Sequence, residues 1–385
     1  MRYESARLAD FSVAADKERR RSFDSSFFVL VVLLLTMGVV MVLSSSYARA
    51  YYDPGNITGG NAAYYFFRQL LFALLGVAVM LFASRIPMGL YRRYAFHILG
   101  LVLVLLILVP IIGVKANGAR RWLGVGGLTI QPSELAKLAV IISFSALICR
   151  LRGRMHTFKY GILPFAAILC TIIALLVLEP HFSASIIIIA IGGAMLFLGG
   201  VRLGWFAAAF GAVGAAVAVL LTFFPYASSR INTWRDPFSS SSDEGYQIVQ
   251  SLYSIGSGGL SGLGLGGSRQ KFLYLPEEHN DFIFSVWCEE LGFIGAALIL
   301  VLFAMLILRG YWIALHSPDR FSFLVCAGIT TLLAIQVFLN VAVVTNLVPC
   351  TGISLPFFSY GGTALLIELF EMGMVLSVSR DVLRY

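Results

Sequence analysis

Charge is what this sequence has least of. Only 12% of its 385 residues are Asp, Glu, Lys or Arg, where a soluble domain carries about 25%. With 59% hydrophobic residues, that shortage excludes a set of two or three soluble domains, which length alone would suggest at roughly 150 residues each. Acidic residues are the scarcer sign, 20 against 28 Lys and Arg, and leave a net charge of +8. The excess does not indicate nucleic acid, because no basic stripe interleaved with aromatics lies on a soluble face. Cysteine is also sparse. Cys149, Cys170, Cys288, Cys326 and Cys350 include no CxxC pair, which argues against a cysteine metal site, and most of them read as small core hydrophobes.

In place of charge there are long apolar runs, near 27–46, 64–84, 94–113, 131–149, 161–178, 184–200, 204–224, 282–308, 321–346 and 355–379. A helix of about 20 apolar residues spans a hydrocarbon core. The expected fold class is therefore all-α: a polytopic integral membrane protein of about ten transmembrane helices. A tail over 1–26, a transmembrane domain over 27–379 and a tail over 380–385 are the expected divisions. Ala48-Arg49-Ala50 resembles a signal-peptide cleavage pattern, but the first run exceeds a typical signal core and reads as an uncleaved anchor.

Basic residues mark alternate loops. Arg85, Arg92 and Arg93 fall in one; Arg150, Arg152, Arg154 and Lys159 in the next; then come Arg202, and Arg309 with Arg320. Lys and Arg retain loops in the cytoplasm, so both termini are expected inside. The connection 225–281, between helices 7 and 8, is then a long extracellular loop. One short exterior loop breaks the rule with Lys115, Arg120 and Arg121, for which an anionic ligand supplies a reason.

Several segments carry chemistry. Gln131-Pro132-Ser133-Glu134-Leu135-Ala136-Lys137 places Pro132 in a first helical turn and Glu134 and Lys137 on one helix face. They read either as an ion pair tethering the helix end or, with Arg121, as a phosphate-facing group, since charges at membrane depth usually line a cavity. Tyr274-Leu275-Pro276-Glu277-Glu278-His279-Asn280-Asp281 closes the long loop with four ionisable side chains in five residues. Asp281 there reads as a helix cap or as a base at a cavity mouth. Leu355-Pro356-Phe357-Phe358-Ser359-Tyr360-Gly361-Gly362-Thr363 opens the last helix, where small residues permit close packing. Glu368 and Glu371 each need a partner, a proton or water. Gly262, Gly264 and Gly267 match a dinucleotide fingerprint but follow no strand, so a flexible or tightly turning loop is expected. Asn56-Ile57-Thr58 is a formal glycosylation sequon without further support.

Taken in order, these motifs resemble the SEDS family of shape, elongation, division and sporulation proteins, which includes FtsW, RodA and SpoVE. The resemblance covers nearly the whole chain, and the end of the first run, Met41-Val42-Leu43-Ser44-Ser45-Ser46, is closer to FtsW or SpoVE than to RodA. It implies a peptidoglycan glycosyltransferase acting on lipid II, with Asp281 as the general base and Arg121, Glu134, Lys137, Glu277, His279 and Ser359 at the substrate. It admits a divalent metal ion, Mg or Mn, and a class B penicillin-binding transpeptidase as partner, among other division or elongation proteins. The rival reading is a lipid II flippase, which needs the same cationic cavity but no base; a third is a scaffold alone. The sequence departs from the family at Glu179-Pro180-His181, where Gln-Pro-Asp is usual, at Asn280 for a Thr and at Thr363 for a Ser.

Overall fold

A computed structural model describes residues 23–52, 58–116, 119–125, 128–208, 211, 232–239 and 243–382. Its long helices are α1 (Ser25–Tyr51), α2 (Tyr64–Ala83), α3 (Met88–Ile112), α4 (Pro132–Arg150), α6 (Leu163–Leu178), α7 (Phe182–Leu198), α9 (Ile283–Leu315), α10 (Arg320–Val344) and α11 (Gly362–Arg380). The short α5 (Phe158–Gly161) leads into α6. Eight spans are long and apolar enough to cross a membrane, and α7 is a shorter apolar helix. Nine of the ten expected helices are thus present among the described residues. The tenth, near 204–224, falls mostly outside them, as do most of the 1–26 tail and the sequon's Asn56.

Helices α4, α10 and α11 sit at the centre, and they are more deeply buried and less apolar than the peripheral α3 and the α5–α6 span. Lipid rewards apolar surface only on helices that face it, whereas helices enclosed by others can carry Ser, Lys, Gln and Asn toward a shared interior. Helix α11 packs chiefly on α2, α4 on α3 and α7, and α10 on α9, α4 and α7.

Three segments differ from expectation. Three strands, β1 (Val114–Ala116), β2 (Ala119–Val125) and β3 (Leu128–Ile130), form an antiparallel sheet beside the end of α3. The long loop carries an amphipathic helix, α8 (Asp243–Ser257), packed on α9. The last helix opens at Gly362 instead of 355, because Phe357 adopts φ 64° and residues 355–360 form a tight turn.

Helix α9 is broken at Gly292, whose φ of 65° and ψ of −164° leave backbone groups without helical partners. The 258–264 loop supplies replacements. Leu263 and Gly264 donate to the Glu289 and Glu290 carbonyls at 3.0 and 2.9 Å, while Phe293 and Ile294 donate to Gly259 and Leu260 at 2.9 and 3.1 Å. The approach demands glycine: a Cβ at Gly262 (φ 78°) would lie 2.1 Å from the Glu290 carbonyl oxygen. The glycine fingerprint is therefore a tight loop seated against a broken helix.

Candidate functional site

A cavity of about 670 Å³ opens at the end of the bundle where the sheet, the 277–281 segment and the 352–361 turn converge. Its lining includes Arg121, Glu134, Lys137, Glu277, Asp281 and Ser359, six of the seven residues singled out in the sequence.

Strand geometry separates the two adjacent arginines. Successive side chains in a strand point to opposite faces. Arg120 turns toward the end of α3 and donates to the Pro110 and Ile111 carbonyls at 3.1 and 3.4 Å. Arg121 turns into the cavity, donates to the Pro180 carbonyl at 2.5 Å, and keeps a buried Nε with no hydrogen-bond partner among the described residues. Arg120 thus closes a helix terminus, and Arg121 offers a guanidinium edge to a ligand.

Helix α4 begins with Pro132 in its first turn, which aims Glu134 and Lys137 along one face. Lys137 Nζ lies 2.6 Å from Glu134 Oε2, with Lys137 3% exposed. Both sequence readings meet here: the pair tethers the helix end and also lines the cavity.

Asp281 precedes α9, yet the N-cap is Phe282 and no side-chain cap bond is made there. The helix-cap reading is thereby overturned. Asn340 Nδ2 on α10 donates to the Asp281 carbonyl at 2.8 Å and to Ile353 O at 2.7 Å, fixing the backbone of both cavity segments. The Asp281 carboxylate itself has no hydrogen-bond partner among the described residues, and a Cβ added to Gly352 would stand 3.1 Å from its Oδ2. Burial first, and then the Glu277 carboxylate, push the Asp281 pKa up from 3.8 to about 7; Arg121 acts against them. Glu277 is held at a positive φ of 56° and accepts from Asn280 Nδ2 at 2.5 Å. Non-glycine residues kept in that region are strained, and such strain concentrates at functional sites.

Ser359 lines the cavity as a clamp. Its hydroxyl donates to Asn280 O at 2.8 Å and accepts from Leu355 N at 2.7 Å, while Tyr360 N donates to His279 O at 2.9 Å. His279 is the residue that does not fit its expected place. It is absent from the cavity lining, and its ring packs against Tyr65 and Tyr360 with centroids 4.8 and 5.8 Å away. Its neighbour Glu278 is fully buried against Arg49, with Oε1 2.8 Å from Arg49 Nε. Those two residues anchor the segment that presents Glu277 and Asp281.

At the departure from the family pattern, His181 reaches the cavity while Glu179 is buried beside it. Burial raises the Glu179 pKa to about 8 against the pull of Arg121. Burial, then Arg121 and Lys137, lower that of His181 to about 3, so the imidazole is neutral at physiological pH. Gln131 and Glu368, noted in the sequence without a role at the site, line the cavity too, and sequence reasoning missed Ser183, Gln247 and Gln336 there. The available signal for Gln336 was an amide, one turn before a second at Asn340, inside an apolar run.

Among the described residues no three His, Cys, Asp or Glu side chains come together as a metal site, and Glu134 is taken by Lys137. The positive charge facing the cavity comes from Arg121 and Lys137.

A membrane-embedded helical bundle with an acid-and-cation cavity at one end is the class of protein that fold and site define. The chain belongs to the family whose model, FTSW_RODA_SPOVE, is described as cell cycle protein and matches residues 24–383. It is 41% identical over 316 residues to stage V sporulation protein E of Bacillus subtilis, covering 81% of this chain and 86% of that one. It is 40% identical over 321 residues to a probable peptidoglycan glycosyltransferase FtsW of Trichlorobacter lovleyi, covering 83% and 84%. Among solved structures, it superposes on a chain of a peptidoglycan synthase complex that coordinates polymerization and crosslinking, with a TM-score of 0.76, 29% identity and coverage of 94% and 99%. The rod shape determining protein RodA of Thermus thermophilus follows with 0.69, 27%, and coverage of 95% and 99%.

Proposed function

We propose that this protein is a peptidoglycan glycosyltransferase that polymerises lipid II at the outer face of the bacterial cytoplasmic membrane, in division, sporulation or shape maintenance. The observation that carries the reading is Asp281: a carboxylate without a hydrogen-bond partner, its pKa raised to about 7, in one cavity with Arg121 and Lys137. Transport of an anionic lipid needs the cations but not a poised base.

In the proposed reaction an acceptor hydroxyl oxygen attacks the anomeric carbon of the donor. The bond from that carbon to the pyrophosphate oxygen breaks, and its electron pair leaves with undecaprenyl pyrophosphate. The hydroxyl proton passes to Asp281. Direct displacement inverts an α-linked donor to a β-linked glycan. A base with a pKa near the operating pH combines an ionised population with proton-accepting strength, worth about 10²–10⁴ in rate. Arg121 and Lys137 face the charge that develops on the leaving pyrophosphate, the electrostatic contribution that usually dominates such steps. Glu134 holds Lys137 in place.

The basic loops support a reading in which the cavity lies on the outer side and both termini inside. A class B penicillin-binding transpeptidase is the proposed partner, in keeping with the polymerising and crosslinking complex among the similar structures. The test is a reconstitution with purified lipid II, in the presence and absence of a cognate transpeptidase. Glycan strands should form from these components alone. Lipid II that crosses the bilayer of proteoliposomes without being polymerised would establish the flippase instead.

A further inference from the structure

Two amides face the cavity with nothing to bond. Gln336 on α10 is 6% exposed, lines the cavity, and has no hydrogen-bond partner among the described residues. Gln247 on α8 lines the same cavity, also without a side-chain partner. Gln336 stands eight residues before the end of α10 at Val344, so it lies roughly 12 Å along the helix axis from that end. Its amide atoms open on the cavity, and a ligand that displaced the water there without replacing its hydrogen bond would leave the amide unmet, at about 1–3 kcal/mol. One turn nearer the end, Asn340 differs: it is fully buried, its Nδ2 holds two backbone carbonyls, and its enclosed Oδ1 has no partner among the described residues. The polar groups of α10 are therefore not all clamps, and Gln336 is the one left open to the cavity.

We propose that Gln336, with Gln247 nearer the α8 side, forms a neutral hydrogen-bonding subsite for the hydroxyl and acetamido groups of an N-acetylated hexosamine, the sugar portion of the lipid-linked substrate. The inference rests on the glycosyltransferase reading and divides its cavity by chemistry. A carboxamide both donates and accepts, which matches a hydroxyl or an acetamide. A phosphate finds its charge complement at Arg121 and Lys137 and gains less from a neutral amide. Sites built to bond a substrate's polar group discriminate strongly against analogues that lack it, because the site's own amide is then left unmet.

The test compares Gln336→Leu with the unmodified protein in lipid II polymerisation, under conditions where the unmodified protein makes glycan. Thermal unfolding in detergent is followed alongside. The proposal expects KM for lipid II to rise about tenfold or more, the cost of one lost buried hydrogen bond, with a smaller change in kcat and an unfolding temperature equal to or above the parent's. Gln336→Glu should not rescue binding, since it places a further carboxylate in a cavity that already holds Glu277 and Asp281. If Gln336→Leu does not insert, the unbranched Gln336→Met takes its place with the same expectation. KM within twofold of the parent, for whichever variant inserts, would mean that only water meets this amide and would overturn the subsite. That result leaves the glycosyltransferase reading standing; absence of glycan from the unmodified protein would instead defeat the reading itself.

Discussion

The role proposed for Asp281 rests on position more than on residue type. An ordinary aspartate is a weak base near neutral pH. Here burial and Glu277 lift its pKa to about 7, and Arg121 restrains the rise. The ionised form is the base, so the sign is fixed: kcat should climb with pH through about 7 and fall roughly tenfold per unit below it. Replacing Arg121 by Ala removes the restraining charge and should move that midpoint upward, besides weakening polymerisation strongly. A kcat–pH profile of both proteins reads the two effects, and a profile flat between pH 5.5 and 8 would contradict the assignment. Asp281, Arg121, Glu134 and Lys137 could be singled out because ionisable side chains crowd the ends of apolar runs, and Glu277 and Ser359 through the family resemblance; the structure brings all six to one cavity, and their roles there belong to the proposal. His279 was misplaced for the same reason: it belongs to the same dense segment, and no sequence signal says that its ring packs between two tyrosines. The division of labour between Arg120 and Arg121 was hidden because residues 114–130 read as a loop, and only a strand sends neighbours to opposite faces.

Among the elements, the broken helix α9 ties the long outer loop to the bundle. Lys271 Nζ reaches Glu290 Oε1 at 2.9 Å, Ser44 Oγ at 3.1 Å and Gly266 O at 2.7 Å, joining the loop, α9 and α1. Glu289 accepts from Ser254 at 3.1 Å, Ser257 at 3.3 Å and Arg269 N at 3.0 Å, and from the Ser268 hydroxyl. Removing one partner of such a buried pair strands the other. Lys271→Met should therefore destabilise the protein by about 3–5 kcal/mol, whereas an exposed ion pair would give 1 kcal/mol or less. Thermal unfolding in detergent measures it, and an unchanged midpoint would show that the network is dispensable. Apolar length alone revealed the helices of the bundle. The break was not legible: the run 282–308 is continuous in the sequence, and the glycine of its interruption acquires meaning only from the loop that docks there.

The whole molecule sorts its charge by end. Asp24 and Arg309 pair at 2.6 Å at the end of the bundle opposite the cavity, where the basic loops also gather, while the cavity end presents Arg121 and Lys137 beside the carboxylates. If basic loops are cytoplasmic, cysteines introduced in a cysteine-free background should label from outside at Ser354→Cys, beside the cavity, and not at Thr157→Cys. The opposite pattern would invert the orientation and place the cavity where lipid-linked precursors are made, not polymerised. The central helices carry their polar residues inward, which the apolar periodicity of single runs does not disclose. That interior supplies Gln336 and Asn340, which shape the cavity from a helix that read in the sequence as a plain membrane span, and Glu368, whose need of a partner was legible but whose place was not.

The central claim is that Asp281 takes the proton from the acceptor hydroxyl. Asp281→Asn is nearly isosteric, leaves the Asn340 bond to the residue 281 carbonyl available, and removes only the capacity to accept that proton. Measured on purified lipid II with the cognate transpeptidase present, the variant should express, insert and hold its partner, yet polymerise about 10²-fold more slowly or worse. Near-normal glycan synthesis by Asp281→Asn would contradict the account.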